Sequence, residues 1–250
     1  MKSIIFLLIF SAQLSLASQP IRIMIDPGHG GDDHGAQLDT IQEKNIALSV
    51  GLELYQLLLK DKRFVPLLTR DKDEFIVLAN RPEKAIKEKA DVFVSIHANS
   101  SPISTARGTE FYFENQVATD EETQLLANRE NNVKALKGTL TPDQKTDLEN
   151  IMTDLNHHEH MIMSQQLSQL LLESFQGHLK IKTRAIRQAP FHVLSVPMPS
   201  TLIELGFVSN PEEARWLATS EIQKKMARAI YAGLKRFKEK LDKVHKTALD

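Results

Sequence analysis

Cysteine is missing altogether from the 250 residues. That excludes disulfides, thiolate metal ligands, a cysteine nucleophile and the cysteine on which a lipid anchor is built. Neither charge is in excess: 31 basic residues face 32 acidic ones, a formal net charge of -1. A phosphate backbone finds no electrostatic footprint here, so nucleic acid is not an expected partner. No internal repeat is visible, and beyond the N-terminus no apolar run reaches the ~20 residues a membrane span needs. What remains is globular in character. Hydrophobic residues make up 42% and charged residues 25%, in a length that builds one sizeable domain with its own core.

The opening stretch MKSIIFLLIFSAQLSLAS differs from the rest. Lys2 supplies a basic start, Ile4 to Phe10 an apolar stretch, and Ser15 and Ala17 small residues. This is the pattern of a secretory signal peptide cleaved after Ala17. A membrane anchor is the competing reading, but the stretch is short and Gln13 interrupts it. Residues 1–17 are expected to be removed and residues 18–250 exported as a single domain, to a periplasm or the cell exterior. No stable membrane anchor then remains.

Ile21 to Ile25 is an apolar run closed by Asp26-Pro27, the mark of a buried strand. Ile46, Ala47, Val50, Leu54, Leu57 and Leu58 fall at helical spacing between Glu43 and Lys60. FVPLLTR reads as a strand, VLANRPEKAIKEKA as a helix, DVFVSIHANS and GTEFYFEN as further strands. FHVLSV and STLIELGF are expected to be the last strands, followed by closing helices. This order predicts an α/β fold: a mostly parallel twisted sheet with helices on both faces. Between Gln116 and His160 the chain turns polar and charged with helical patterning. Thr119 and Glu122 suggest a capping box. Thr141, Pro142 and Gln144 suggest another helix start. The segment reads as a helical insertion near the active site rather than a domain, followed by a core helix from Met161.

Three ionisable residues follow apolar strands. His29 stands in the glycine-rich turn after the first, His97 follows DVFVSI, and Glu204 follows TLI. In parallel α/β sheets the carboxyl edge is where sites form. Glu43 opens the helix after the His29 turn. Two histidines and a carboxylate are a known ligand set for catalytic zinc, which keeps a position for water. A further carboxylate can serve as general base. Reading His29, Glu43 and His97 as ligands leaves Glu204 as that base. By spacing alone, strand-end histidines are more often hydrogen-bonded structural residues, and both readings stand at this point.

A longer run of motifs surrounds these residues. IDPGHGGDDHGA, Glu43 before NIAL, LTRDKDEFIVLANR, VFVSIHANSS, GTEFYF and PSTLIELGFVSNPEEARWL follow one another from about Ile21 to the final helix. Together they resemble the zinc-dependent N-acetylmuramoyl-L-alanine amidases of the Amidase_3 family, of the cell-division type. The resemblance implies one zinc ion held by His29, Glu43 and His97, with Glu204 catalytic. It implies cleavage of peptidoglycan between N-acetylmuramic acid and L-alanine, in wall remodelling or daughter-cell separation. The family often has proline where His34 stands, so His34 reads as a variant loop residue. Cell-division amidases carry helices in place of the 116–160 segment, one of which plugs the zinc site until an activator moves it. That implies Glu130 as the occluding carboxylate, with Glu121 and Glu122 as rivals, and a LytM-type divisome activator as partner. Plain solvation of an exposed helix face is the alternative for all three glutamates.

Arg70, Asn99 and Arg187 are candidates for substrate contact. Arg70 and Arg81 read equally well as partners within the protein. His157 to His160, HHEH, is expected to be a surface cluster. Two rival functions stand beside the amidase: a zinc peptidase acting within the stem peptide, and a non-catalytic peptidoglycan-binding protein.

Overall fold

The computed structural model describes residues 19–132, 147–179 and 182–247. The expected signal peptide and the expected helix start at Thr141, Pro142 and Gln144 lie outside the described residues. The apolar runs assemble into a six-stranded sheet in the order β4-β1-β5-β8-β6-β7. These strands are β1 (Ile21–Pro27), β4 (Phe64–Leu68), β5 (Val92–Asn99), β6 (Thr109–Glu114), β7 (Thr183–Ala189) and β8 (Ser200–Phe207). β4, β1, β5 and β8 run parallel, while β6 is antiparallel to β8 and parallel to β7. A two-stranded ribbon, β2 (Gln37–Leu38) and β3 (Ile41–Gln42), leads into the first helix.

Strand alternation sorts side chains between two cores. Ile23, Ile25, Val92, Val94, Ile96, Phe111, Ile203 and Leu205 face one cluster. That face is covered by α1 (Glu43–Leu59), α4 (Asp147–His178) and α6 (Ser220–Thr247). Ile46, Ala47, Val50, Leu54 and Leu58 of α1 are fully or almost fully buried there, as their spacing predicts. Met24, Phe93, Tyr112 and Leu202 face the second cluster, under α2 (Asn80–Lys87), α3 (Glu121–Asn131) and the segment 191–198. On this second side the alternation also places Asp26, Ser95, His97, Glu110 and Glu204. α5 (Pro211–Leu217) packs beside β8.

Three local expectations change. FHVLSV is not a strand: His192–Leu194 form a short 3-10 turn. Phe191, Val193, Leu194 and Val196 are buried in the second cluster, so their apolar character comes from packing, and Pro190, Pro197 and Pro199 work against strand pairing. The strand lies instead at Thr183–Ala189, a polar edge strand that offers no apolar run to read. α3 is capped by Asp120, whose side chain accepts from Thr123 N, not by Thr119. The expected core helix from Met161 is the continuation of one helix that begins at Asp147.

Candidate active site

The glycine-rich turn forces the chain into unusual backbone. His29 itself is left-handed at φ 57°, followed by positive φ at Gly30, Gly31 and Gly35. Close approach explains two of the glycines. A Cβ at Gly28 would lie 2.4–2.8 Å from the His97 ring, and one at Gly35 would lie 2.5 Å from Glu43 Oε2 and 2.6 Å from the His29 ring. The turn folds back on itself by the Gly30–Asp33 bridge. That brings Asp33 Oδ2 within 2.9 Å of His29 Nδ1, which leaves Nε2 aimed into the cleft.

Behind the turn lies a polar base. Arg81 pairs with the fully buried Asp26 at 2.8 Å and donates to the carbonyls of Pro27 and His29. Thr69 and Ser95 also donate to Asp26. Burial would raise the Asp26 pKa, but Arg81 and these hydrogen bonds outweigh it and hold the carboxyl below its usual range. Arg70 is buried at 1% exposure and donates to the carbonyls of Pro27, Gly28, Lys44 and Lys72. Its guanidinium braces the turn from behind rather than facing the cleft. Arg81→Met should leave Asp26 as an unpaired buried charge, at a cost of about 3–5 kcal/mol. Denaturant unfolding reads this directly, and an unchanged midpoint would show that the pair carries no weight.

In front of the turn several acidic groups meet two imidazoles. The rings of His29 and His97 stand edge-on, 4.9 Å between centroids. Glu43 Oε1 lies 3.0 Å from His29 Nε2 and 2.9 Å from His97 Nδ1. Glu43 is fixed by Ala98 N on Oε1 and Ala36 N on Oε2. Glu130 Oε2 from α3 reaches the same two nitrogens at 3.6 and 3.3 Å. One donor atom each from His29, His97 and Glu130 lie within 4.8 Å of one another. Glu204 completes the group from β8, in register with His97 on one side and Glu110 on the other.

The electrostatics ask for positive charge at the centre. Burial disfavours a charged His29 ring, but Glu43, Asp33 and Glu130 outweigh it and push its pKa well above the usual value. Burial would raise Glu43, yet His29 and His97 hold it well below the carboxylate range. Burial, then the charges of Glu43 and Glu130, push Glu204 well above it. His29 Nε2 and both Glu204 oxygens are buried without a hydrogen-bond partner. Two imidazoles, two carboxylates and a ring nitrogen that faces carboxylates without a hydrogen bond fit a borderline-soft divalent cation such as zinc. The Asp33 contact is the outer partner that a metal-bound histidine ordinarily has.

Of the expected residues, the structure brings His29, Glu43, His97, Glu130 and Glu204 together. Glu204 lies in the interior of β8, not at its end. Asn99 is buried and donates through Nδ2 to Glu110. Arg187 lies on the edge strand against Glu110 and α3. Glu121 and Glu122 are exposed. His34 does not enter the group. In the HHEH stretch His157, His158 and Glu159 are exposed and His160 is half-buried, with His157 Nε2 3.4 Å from Glu114. Asp33 and Glu110 escaped the sequence reading. Asp33 offered a signal, standing four residues after His29 in the same turn. Glu110 offered none beyond its place in GTEFYF. A cleft beside His29, Asp33, Glu43 and Glu130 is rimmed by Phe75 and Arg129.

Comparison with known proteins identifies the family. Residues 23–236 match the family Amidase_3, described as N-acetylmuramoyl-L-alanine amidase. The probable N-acetylmuramoyl-L-alanine amidase AmiB of Haemophilus influenzae is 38% identical over 246 residues, 94% of this chain and 56% of the relative. This chain spans about half the length of several curated relatives it matches. The solved N-acetylmuramoyl-L-alanine amidase from Clostridium difficile 630 is 28% identical, with a TM-score of 0.66 over 88% of this chain and 97% of that one. The CwlD amidase from Clostridioides difficile, solved in complex with the GerS lipoprotein, is 25% identical. Its TM-score is 0.64 over 87% of this chain and 98% of that one.

Proposed function

The chain belongs to the Amidase_3 family of N-acetylmuramoyl-L-alanine amidases, and from that membership we propose that it hydrolyses the amide joining N-acetylmuramic acid to L-alanine in peptidoglycan. The observation that carries the reading is the convergence of two imidazoles and Glu43 beside the unbonded, buried carboxylate of Glu204. Three protein ligands with one position to spare are the arrangement of a catalytic zinc site rather than a structural one. We assign one zinc ion to His29, Glu43 and His97. Zinc, when bound, supplies Lewis acidity toward the scissile carbonyl.

The chain's own residues do the rest. Glu204 takes the proton of the attacking water and delivers it to the alanine nitrogen as the amide breaks. Burial and the neighbouring carboxylates raise its pKa, and a base of raised pKa holds the proton more firmly between the two transfers. Asp33 fixes the His29 tautomer. Backbone N–H groups of Ala36 and Ala98 hold Glu43 still, so the ligand set needs no rearrangement when substrate enters.

Control is part of the same proposal. Glu130 shares the histidine nitrogens with Glu43 and stands where the spare position is needed. α3 is packed down through Leu126 and Ala127 and held by Arg129 on Ser100 O and by Asn131 on Pro190 O. The resting chain is therefore self-inhibited. A partner activates it only by binding the displaced state better than the plugged one. The CwlD–GerS complex supports a protein partner for this fold; we assign a LytM-type divisome protein here. Among the described residues no helix is long and apolar enough to cross a membrane. Export by the residue 1–17 signal, a periplasmic or secreted location, and a part in daughter-cell separation complete the proposal.

Product analysis on purified muropeptides tests it. Glu130→Ala, zinc-loaded, should hydrolyse them at least about tenfold faster than the unaltered chain without any activator. The products should be a free lactyl carboxyl on muramic acid and a free alanine amine. Fragments cut within the stem would make the protein a peptidase. A folded, zinc-loaded variant that binds muropeptides without cutting them would leave a non-catalytic binder.

A further inference from the structure

Glu110 is buried at 1% exposure and is the register partner of Glu204 across β6 and β8. Two arms meet on its carboxylate. Asn99 Nδ2 donates to Oε2 at 3.1 Å, beside Tyr112 OH at 2.9 Å. On the other side Arg187 Nη1 lies 3.6 Å from Oε1. Each arm also reaches α3. Asn99 Oδ1 accepts from Arg129 Nη2 at 2.8 Å, near the carboxyl end of the helix. Arg187 Nη1 donates to Glu122 Oε2 at 3.1 Å, and its Nε lies 3.7 Å from Asp120 Oδ2, near the amino end. Two clasps on the helix thus lead back to one buried carboxylate beside the proposed general base.

Resting on the amidase reading above, we propose that Glu110 is a positioning residue for two successive occupants of the cleft. With α3 in place, it holds Asn99 and Arg187 so that they clasp the helix. With α3 displaced, it holds the same two side chains against substrate, Arg187 taking a carboxylate of the stem peptide and Asn99 Oδ1 an amide N–H. The chemistry follows from what each group has left to offer. Departure of α3 removes Glu122 and Asp120 from the Arg187 guanidinium. Its planar fork then faces the cleft already oriented by Glu110, and a carboxylate is the group such a fork binds best. Glu122 places on Arg187 the group that the substrate brings. Asn99 Oδ1 keeps Ser100 N but loses the Arg129 donor, and its second lone pair becomes an acceptor toward a peptide. Because Glu110 supplies the buried counter-charge, Arg187 keeps its place between the two states at little cost.

The test uses the zinc-loaded full chain carrying Glu110→Gln, Arg187→Ala, Arg187→Lys or Glu122→Gln. In the unaltered background, hydrogen exchange of α3 amides reads the clasp. Glu110→Gln, Arg187→Ala and Glu122→Gln should each speed it by roughly tenfold, the loss of a charge-assisted contact. Unchanged exchange in all three overturns the clasp. In a Glu130→Ala background, hydrolysis is compared on a soluble muropeptide with free stem carboxylates and on its amidated counterpart. Arg187→Ala and Glu110→Gln should raise KM about tenfold for the first substrate and little for the second. The double variant should be no worse than Arg187→Ala, and Arg187→Lys should recover part of the loss. Glu122→Gln should not raise KM. Equal losses on both substrates, or additive effects of Glu110→Gln and Arg187→Ala, would overturn the substrate role. A Glu130→Ala parent that hydrolyses neither substrate overturns the amidase reading and the substrate role with it, while α3 exchange still decides the clasp.

Discussion

Glu204→Gln is expected to lower muropeptide hydrolysis by about a hundredfold or more while zinc content and fold persist. Glutamine keeps the shape of the side chain but cannot accept a proton from water. Neither Glu204 oxygen holds a hydrogen bond that the fold depends on. Its neighbours Glu43, Glu130 and Glu110 are carboxylates that together with burial outweigh the nearby Arg129, so a neutral side chain of the same shape strands no buried partner. The melting temperature should therefore not fall. The measurement is best made in the Glu130→Ala background, where the cleft is open and basal turnover is high enough to show a large decrease. Hydrolysis within a few-fold of the parent would remove Glu204 from the proton path.

His29→Ala and His97→Ala are expected to strip the chain of zinc and of turnover together. A catalytic site with three protein ligands has none to spare, and both rings sit within 3.0 Å of the same Glu43 oxygen. Elemental analysis after dialysis reads the metal directly. Asp33→Asn provides a graded comparison. It keeps the ring in place but weakens the group that orients it, and should cost on the order of 10–100-fold in zinc affinity. Stoichiometric zinc in both alanine variants would sink the ligand assignment, whatever happens to activity.

The positions of His29, His97 and Glu204 were legible because each follows an apolar run, and such runs are local and continuous. The α1 register was legible for the same reason: Ile46, Val50, Leu54 and Leu58 repeat with the helix. The FHVLSV run misled because an apolar run records burial, and a buried segment under a sheet is apolar whether or not it pairs with a neighbour. β7 went unread because an edge strand need not be apolar. That β1, β5 and β8 are strands, and that the sheet is mostly parallel, thus followed from the sequence by itself.

Convergence of the site across the sheet did not. Asn99, Glu110, Arg129 and Arg187 come from four different elements, β5, β6, α3 and β7, and no local period links them. They meet because β6 lies against β8 and β7 against β6, and because α3 returns over that edge with Glu130 at the two histidines. A carboxylate in GTEFYF reads as an ordinary exposed charge until its surroundings are known, and Glu130 in LANRENN stood out only through the family resemblance. Only tertiary structure decides that Glu110 and Glu130 are buried. Burial turns an exposed charge, which water screens, into one that must be met by specific partners.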